Sequence, residues 1–330
     1  MTADLNENTR QVRLRRIGLM RLAQYSQFAL LAIMVLAFLL ASLFVPYFFT
    51  WGNIANLLQR NSIIGIVSCG MLLMIILGGF DLSVGAVGAM TSVAAAAIVA
   101  SISVPLGIAA ALALGLAVGL LNGFCIAKIG ITPFVATLGV EVLITGLLFI
   151  ATSAEPIYGV PESFTVIGLG KIAFLPIPTL IFALIAVSTW ALLRFTTFGH
   201  YVYMVGGNKE AARLAGVNVD HVTLLTYGLG GLYAGLAGVV LLGTTGIGQP
   251  ASATDWPLSA IAAVVVGGVP LSGGVGSVGR VVLGTFLLGI IANILNLIGI
   301  SPYWQPAITG AVILVAVGID SYQRKRAGRD

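Results

Sequence analysis

Long apolar stretches alternate with short polar or glycine-rich ones along the whole 330-residue chain. A helix needs ~20 apolar residues to cross the hydrocarbon core of a bilayer, and ten stretches of roughly that length can be marked. They lie near 26–49, 62–79, 84–102, 104–127, 131–153, 173–193, 222–245, 258–278, 281–299 and 304–320. The pattern predicts an all-α polytopic membrane protein with about ten transmembrane helices. The runs at 84–102 and 258–278 are rich in glycine, so they are the two weakest candidates for a continuous membrane-spanning helix.

Composition agrees with this pattern, because 58% of the residues are hydrophobic and only 8% are charged. A soluble domain carries roughly 25% charged residues. The 42 glycines also suit membrane helices, whose backbones approach closely where side chains are small.

The basic residues predict the orientation of the chain. Five arginines precede the first apolar run and four cations follow the last one. Cytoplasmic segments carry an excess of Lys and Arg, so both termini are predicted to be cytoplasmic, which requires an even number of crossings. With ten crossings, 14 of the 16 cations lie inside, and only Arg60 and Lys171 lie outside. The excess positive charge therefore indicates topology and not nucleic-acid binding.

The predicted domain organisation is a cytoplasmic tail at 1–25, one transmembrane domain at 26–320 and a second cytoplasmic tail at 321–330. A glycine-rich motif in the first half recurs 189 residues later, which indicates two pseudo-repeats at about 26–172 and 173–320. Whether the repeats run parallel or inverted stays open, since one miscounted span changes the answer.

The recurring motif interrupts apolar sequence with glycines and, in its first copy, with a carboxylate. Such interruptions in corresponding positions of two halves point to the pathway of a transporter. Gly78 and Gly79 can end one helix, and Asp81 and Ser83 can cap the next. The turn is therefore either a structural cap or part of the pathway, and the two readings are compatible. The second copy contributes Gly267, Gly268 and Ser272, and it has Pro270 in place of the aspartate, which excludes a symmetric carboxylate pair.

Other polar residues lie inside predicted spans. Glu141 either lines a pathway or carries a proton, or it has no role in transport. In the second case, which we favour, it lies near the membrane interface or is a neutral side chain hydrogen-bonded to Thr137 or Thr145 one turn away. The amides Asn122, Asn293 and Asn296 are expected to hydrogen-bond neighbouring helices, although an amide could also face a polar substrate.

The longest polar stretch between spans, 195–221, is predicted to be cytoplasmic and to contain a short helix. Asn208 can cap its start, Glu210 stands in its first turn, and Gly216 closes it. A helix of this length does not persist alone in water. It must therefore pack on the membrane domain or, as we favour, insert into a groove on a cytosolic partner.

Four motifs together resemble the permease subunits of ribose-type sugar ABC importers. They are GGFDLSVG at 78–85, GGNKEAARLAGVNV at 206–219, GGVPLSGGVGS at 267–277 and NILNLIGISPYWQ at 293–305. The resemblance runs in order from about 49 to 320. It implies a non-enzymatic permease in the bacterial inner membrane that works with a second permease subunit, a cytosolic ATPase and a periplasmic or lipid-anchored sugar-binding protein. The chain departs from the family before its second glycine motif, where Asp255-Trp256-Pro257 replaces the usual acidic stretch.

The resemblance also implies which residues couple the permease to its ATPase. These are Gly207, Asn208, Glu210, Ala211, Ala212, Arg213, Leu214 and Gly216. The chain itself has no GxxxxGKS or GxxxxGKT loop, so ATP and Mg²⁺ are expected in the partner. Its two cysteines and two histidines form no metal-ligand pattern, and no metal or other cofactor is expected in this chain.

Two other transport functions stay open at this stage. One is an ABC permease for nucleosides or branched-chain amino acids, and the other is a proton-coupled secondary transporter that uses Asp81 or Glu141. A structural membrane scaffold is a weaker alternative, because it does not explain the duplicated interrupted segments.

Overall fold

The computed structural model describes residues 28–301, 303–311, 314–315 and 318. The two tails predicted to be cytoplasmic, 1–25 and 321–330, lie outside the described residues, so their position stays a prediction. The described chain is almost entirely helical, and its one small sheet pairs two antiparallel two-residue strands, β1 (Lys171–Ile172) and β2 (Leu175–Pro176).

The helices follow the predicted apolar runs. In chain order they are α1 (Phe28–Phe44), α2 (Trp51–Leu77), α3 (Val84–Ser101), α4 (Val104–Phe124, continued by a π-helical turn at Cys125–Ile129), α5 (Pro133–Thr152), α6 (Glu162–Leu169), α7 (Ile177–Phe195), α8 (Thr197–Gly207), α9 (Lys209–Leu214), α10 (Val219–Thr245), α11 (Trp256–Val266) and α12 (Val278–Leu297). Residues 304–311 are again helical.

Seven of the described helices are long and apolar enough to cross a membrane. They are α2, α3, α4 with its π-helical turn, α5, α7, α10 and α12. The predicted all-α polytopic class is confirmed at this level, whereas the count of ten spans stays a prediction. α1 has 17 described residues, and the last predicted run, 304–320, lies partly outside the described residues.

Two predicted boundaries are wrong. The run expected at 62–79 begins at Trp51, because Thr50 accepts a hydrogen bond from the Asn53 amide and starts the helix eleven residues earlier. The run expected at 258–278 is not one helix. α11 ends at Val266, and residues 267–277 form an irregular loop before α12, since five glycines and Pro270 do not sustain a helix there.

α2 and α10 form the centre of the bundle, and both are buried along most of their length. α10 packs against α2, α3 and α4, while α2 also packs against α7, α8, α11 and α12. The backbones of α4 and α10 approach most closely at small residues. A Cβ added at Gly119 would lie 3.0 Å from the Cα of Gly228 and 3.0 Å from that of Gly231. Glycine at this position is therefore a packing requirement.

Several helix ends meet at one end of the bundle. Lys128, after α4, forms a 2.9 Å ion pair with Asp220 at the start of α10. The end of α2, the end of α8 and the loop before α12 also meet there, as described below. At the opposite end, Gln59 near the start of α2 donates to the carbonyl of Gly168 in α6 at 2.8 Å. Lys128 and Lys171 are thus at opposite ends of the bundle, as expected if the first faces the cytoplasm and the second the outside.

Candidate functional site

The turn between α2 and α3 contains the buried carboxylate that the sequence analysis singled out. α2 ends in a left-handed glycine, Gly78 (φ 94°), whose amide donates to the carbonyl of Ile75, while the amide of Gly79 donates to that of Met74. This pair of bonds is the Schellman arrangement, which satisfies carbonyls that a lipid environment leaves without partners. The prediction that the two glycines end the helix is confirmed.

Asp81 is only 1% exposed and accepts three hydrogen bonds. Its Oδ1 accepts from the backbone amide of Ser83 at 2.7 Å and from the Ser83 hydroxyl at 2.6 Å. Its Oδ2 accepts from Nδ2 of Asn122 at 3.2 Å, and the same Nδ2 lies 2.8 Å from the Ser83 hydroxyl. Asn122 thereby joins α4 to the turn, which confirms the expectation that this amide bonds a neighbouring segment.

The capping prediction for this turn holds only in part. Ser83 stands at the position before α3, but its side chain makes no capping hydrogen bond to the helix. Asp81 instead bonds the amide of Ser83 itself, so the carboxylate closes the turn and does not cap the helix. The turn is held further by Thr137 of α5, which accepts from the amide of Leu82 at 3.1 Å, and by Tyr227 of α10, which donates to the carbonyl of Phe80 at 3.3 Å.

The second glycine motif begins in the same way and then differs. α11 is followed by a left-handed glycine, Gly268 (φ 78°), and the amides of Gly268 and Val269 bond the carbonyls of Val265 and Val264. In the sequence, however, Gly268 aligns with Gly79 and not with Gly78. Ser272 lies in the long loop, whereas Ser83, its counterpart, directly precedes a helix. The two copies therefore share a helix ending but not a complete local backbone.

The two glycine motifs meet in space. The amide of Gly274 donates to the carbonyl of Ile76 at 2.8 Å. A Cβ added at Gly273 would lie 2.9 Å from the Cα of Gly78. The loop before α12 is therefore packed directly on the last turn of α2, and only residues without side chains fit at this contact.

The end of α8 joins the same contact. A Cβ added at Gly206 would collide with the carbonyl of Ile76, and one at Gly274 would lie 2.9 Å from the Cα of Gly207. Tyr203, one turn earlier in α8, donates its hydroxyl to the carbonyl of Gly276 at 2.8 Å. We call this three-way contact of residues 76–78, 206–207 and 273–274 the glycine junction.

α9 follows the glycine junction directly and has the caps that the sequence predicts. Oδ1 of Asn208 accepts from the amide of Ala211 at 2.9 Å. The helix closes at Gly216 (φ 83°), whose amide donates to the carbonyl of Arg213. Arg213 also forms a 3.0 Å ion pair with Glu210 on the exposed surface. α9 is thus a rigid single turn fixed between α8 and α10.

The two faces of α9 differ sharply. Ala212 is 2% exposed and is part of the main hydrophobic core, whereas Leu214 is 89% exposed. A large aliphatic side chain that projects this far from a capped helix has no packing role within the described chain. This side chain is therefore free to contact another molecule.

The remaining predicted site residues lie away from the glycine junction. Asn293 and Asn53 exchange two hydrogen bonds, of 2.8 and 2.9 Å, which join α12 to the start of α2. Asn296 accepts from Nε2 of Gln305 at 3.1 Å. These amides hydrogen-bond neighbouring segments, as expected, at the end of the bundle opposite α9.

Glu141 is half-buried on α5, and no hydrogen bond in the described chain joins it to Thr137 or Thr145. Thr137 instead donates to the carbonyl of Pro133 and accepts from Leu82. The predicted neutral, threonine-bonded state of Glu141 is therefore not found.

Sequence reasoning missed the residues that complete the glycine junction. Ile76 and Tyr203 contribute a carbonyl and a hydroxyl, and neither belongs to a sequence pattern that predicts a contact with a distant segment. The repeated glycine pairs at 78–79, 206–207 and 273–274 were the available signal.

Comparison with known proteins identifies similar membrane components over nearly the whole chain. Residues 53–317 match the family model described as branched-chain amino acid transport system / permease component. The chain is 39% identical over 300 residues to the ribose import permease protein RbsC of Escherichia coli, which covers 89% of this chain and 93% of the relative. It is 37% identical over 302 residues to the L-arabinose transport system permease protein AraH of Escherichia coli, covering 91% and 92%. It is 36% identical over 303 residues to the galactose/methyl galactoside import permease protein MglC of Escherichia coli, covering 85% and 90%. No solved structure matches the chain significantly.

Proposed function

This multi-pass membrane protein belongs to the family of branched-chain amino acid transport permease components. On that premise we propose that it is the permease subunit of an ATP-driven importer of a simple, ribose-like sugar. The relatives named above are permeases for ribose, arabinose and galactose. The resemblance to ribose-type permeases that the four motifs indicate is thereby confirmed. The identity of the sugar is part of the proposal.

The proposed assembly contains this chain, a second identical or paralogous permease, a cytosolic ATPase and a sugar-binding protein on the outer side of the inner membrane. ATP and Mg²⁺ would bind the ATPase, because this chain lacks the phosphate-binding loop that ATP hydrolysis needs. Ten crossings with both tails in the cytoplasm would place α9 on the ATPase side. Affinity for the sugar can reside mainly in the binding protein, which suits a membrane domain with few charged groups.

The observation that carries this proposal is the position of α9. Its buried residue Ala212 fixes it to the core, its exposed residue Leu214 projects outward, and its first residue follows Gly207 of the glycine junction. A displacement of α9 by the ATPase would therefore act directly on the last turn of α2 and on the loop before α12. Packed elements respond to such a displacement by shifting between discrete arrangements, which is what alternating access requires.

A second substrate class has a specific observation in its favour, since the family description names branched-chain amino acids. The two classes are separated by one uptake experiment. The chain is reconstituted with the products of its neighbouring genes in vesicles, and uptake of ribose, arabinose, galactose, leucine and a nucleoside is measured with and without internal ATP. Uptake of a sugar that requires both ATP and the binding protein supports the proposal. Uptake of leucine alone, or uptake without ATP that collapses with the proton gradient, contradicts it.

The coupling assignment predicts that Leu214→Ser prevents association with the ATPase. The side chain is already almost fully exposed, so the substitution removes little that stabilises the permease itself. We expect co-purification of the ATPase and ATP-dependent uptake to be lost, while expression and thermal stability match those of the parent chain.

Leu169→Ser is the matched control, because Leu169 is also exposed but lies at the opposite end of the bundle. Its ATPase co-purification should equal that of the parent. Charge reversal at Glu210 and Arg213 together provides an independent test, since it keeps the 3.0 Å ion pair but inverts the surface of α9. Unchanged co-purification in both Leu214→Ser and the double reversal would remove the coupling assignment.

A further inference from the structure

A cavity of about 620 Å³ lies between α2, α11, α12 and the helical residues 304–311. Its residues on α2 are Asn61 and Ile64. Asn61 precedes Ile76 of the glycine junction by 15 residues of one helix, which corresponds to ~22 Å along the axis. The cavity is therefore about four turns of α2 away from the glycine junction, on the side of the bundle that is predicted to face outward.

The cavity contains a buried polar group without a partner. Asn61 is only 8% exposed, and its Nδ2 makes no hydrogen bond to any described residue. An unsatisfied buried donor is destabilising, so its retention calls for a ligand or solvent partner. Asn61 lines the cavity, and its side-chain amide packs against Gly289 on α12. A Cβ at position 289 would overlap this amide, so glycine is needed there.

Further hydrogen-bonding groups surround the same space. Asp255 and Ser259 lie one turn apart at the start of α11, and Gln305 contributes an amide from the last described helix. The walls between these groups are aliphatic and include Ile64 and Leu288. The volume is within the ~300–1,000 Å³ range that is usual for ligand cavities. A cavity with a few polar groups on apolar walls suits a small molecule that has both hydroxyl and C–H surfaces.

The charges of the lining residues restrict the class of ligand. Asp255 is the one charged residue among them, and no lysine, arginine or histidine lines the cavity in the described part of the chain. The carboxylate of an amino acid, or the phosphate of a phosphorylated ligand, would find no cationic side chain to pair with in this cavity, which is unfavourable for a buried anion. A neutral polyol brings hydroxyls that donate to Asp255 and accept from Asn61.

We infer that this cavity is a binding site for a neutral monosaccharide in passage through the permease, with Asn61 as the buried donor and Asp255, Ser259 and Gln305 as its other polar contacts. The inference rests on the proposed function and names the residues that would contact the sugar. None of these four residues was a predicted pathway residue, although the lining residue Ala263 accepts a hydrogen bond from Gly267 of the second glycine motif.

The test measures occupancy of the cavity directly. Leu258→Cys places a thiol in the cavity wall at a position that is not one of the proposed polar contacts. The purified full importer in nanodiscs is then treated with a water-soluble maleimide. Labelling is followed with increasing ribose, or with whichever panel sugar the uptake experiment identifies, and with leucine as a second probe. The parent chain reports background labelling, since its Cys69 is buried and Cys125 is half-buried.

We expect the sugar, and not leucine, to protect the thiol of Leu258→Cys. Adding Asn61→Leu should raise the sugar concentration for half-protection roughly fivefold or more, through loss of one hydrogen bond. Gly289→Ala tests the same contact without removing the amide and should have an effect in the same direction. Gly146→Ala is its matched control, because a Cβ there meets nothing within 4 Å.

The outcomes separate the two proposals. If the vesicles take up sugar but no sugar protects Leu258→Cys, the cavity assignment is wrong and the importer assignment stands. Protection that neither Asn61→Leu nor Gly289→Ala weakens also overturns the assignment of Asn61. If leucine is transported and protects the thiol, both proposals fail together.

Discussion

At the scale of single residues, Asp81 shows how a carboxylate is accommodated inside an apolar bundle. A buried charge is destabilising unless hydrogen bonds replace its hydration. Asp81 receives these bonds from Ser83 and Asn122, and no basic residue forms an ion pair with it in the described chain. A turn of this kind is rigid, because each of its polar groups depends on the others.

This geometry predicts that Asp81→Ala destabilises the protein and that Asp81→Asn does not. Alanine leaves the Ser83 amide without a partner, at a cost of ~1–3 kcal/mol for this buried group. It also removes one of the two hydrogen bonds of Nδ2 of Asn122, which keeps its 2.8 Å bond to the Ser83 hydroxyl. Asparagine still accepts from the Ser83 amide. Its NH₂ can donate to Oδ1 of Asn122, which has no partner in the described chain, once that amide rotates.

The measurement is the free energy of unfolding from SDS titration in mixed micelles, together with ATP-dependent uptake. We expect a clear loss of stability for Asp81→Ala and near-parental stability for Asp81→Asn. If Asp81→Asn is stable but transports nothing, the negative charge itself has a role in transport.

At the scale of elements, the close contact of α4 and α10 depends on glycines. Gly115, Gly119 and Gly123 repeat at intervals of four along α4, and each faces the backbone of α10. Since lipid is as apolar as the helix surface, association in a membrane depends on close packing more than on the hydrophobic effect. The glycine spacing in the sequence is the signal for this contact, although it does not indicate which helix is the partner.

We predict that Gly119→Leu prevents correct packing of α4 on α10. The neighbouring backbone cannot move aside as a flexible side chain would, so the expected cost is ~3 kcal/mol or more. Gly139→Leu in α5 is the control, because a Cβ there meets nothing within 4 Å.

The readout is the yield of monodisperse protein in size-exclusion chromatography and its thermal midpoint. Equal yield and midpoint for the two leucine variants would show that the α4–α10 contact is not a determinant of stability.

At the scale of the whole molecule, the glycine junction joins three segments that are distant in the sequence. It connects the end of α2, the residues just before α9 and the loop before α12. α2 continues from there to the cavity, which Asn61 lines 15 residues away from Ile76. One continuous helix thus links the proposed ATPase contact to the proposed sugar site.

We predict that Gly206→Ala weakens coupling, whereas Gly207→Ala does not. A Cβ at Gly206 would overlap the carbonyl of Ile76, but a Cβ at Gly207 meets nothing within 4 Å. Both variants keep α9 intact, so both should bind the ATPase. We expect Gly206→Ala to reduce sugar uptake per ATP hydrolysed by roughly fivefold, as is typical of mutations that alter the coupling between sites.

Uptake and ATP hydrolysis are measured in the same vesicle preparation for both variants. Equal uptake per ATP hydrolysed would show that the close approach at Gly206 has no part in transmission. Loss of ATPase binding in Gly206→Ala alone would instead place the contact within the docking surface.

The sequence by itself determined the helical membrane class, most helix positions, the interrupted motifs and the short capped helix. These features depend on local rules, namely apolar length, glycine and proline breaks, and capping residues within a few positions. The four motifs also identified the family. The boundary errors occurred where local signals were weak, at the polar start of α2 and in the glycine-rich loop after α11.

Only the tertiary structure decided which distant segments meet. The partners of Asp81, the glycine junction and the cavity at Asn61 each combine residues from helices separated by long stretches of sequence. Apolar spans look alike to one another in composition, so their sequences do not specify a neighbour. Close contact is decided by the shapes of whole helix surfaces and by the few polar groups that must find partners between them.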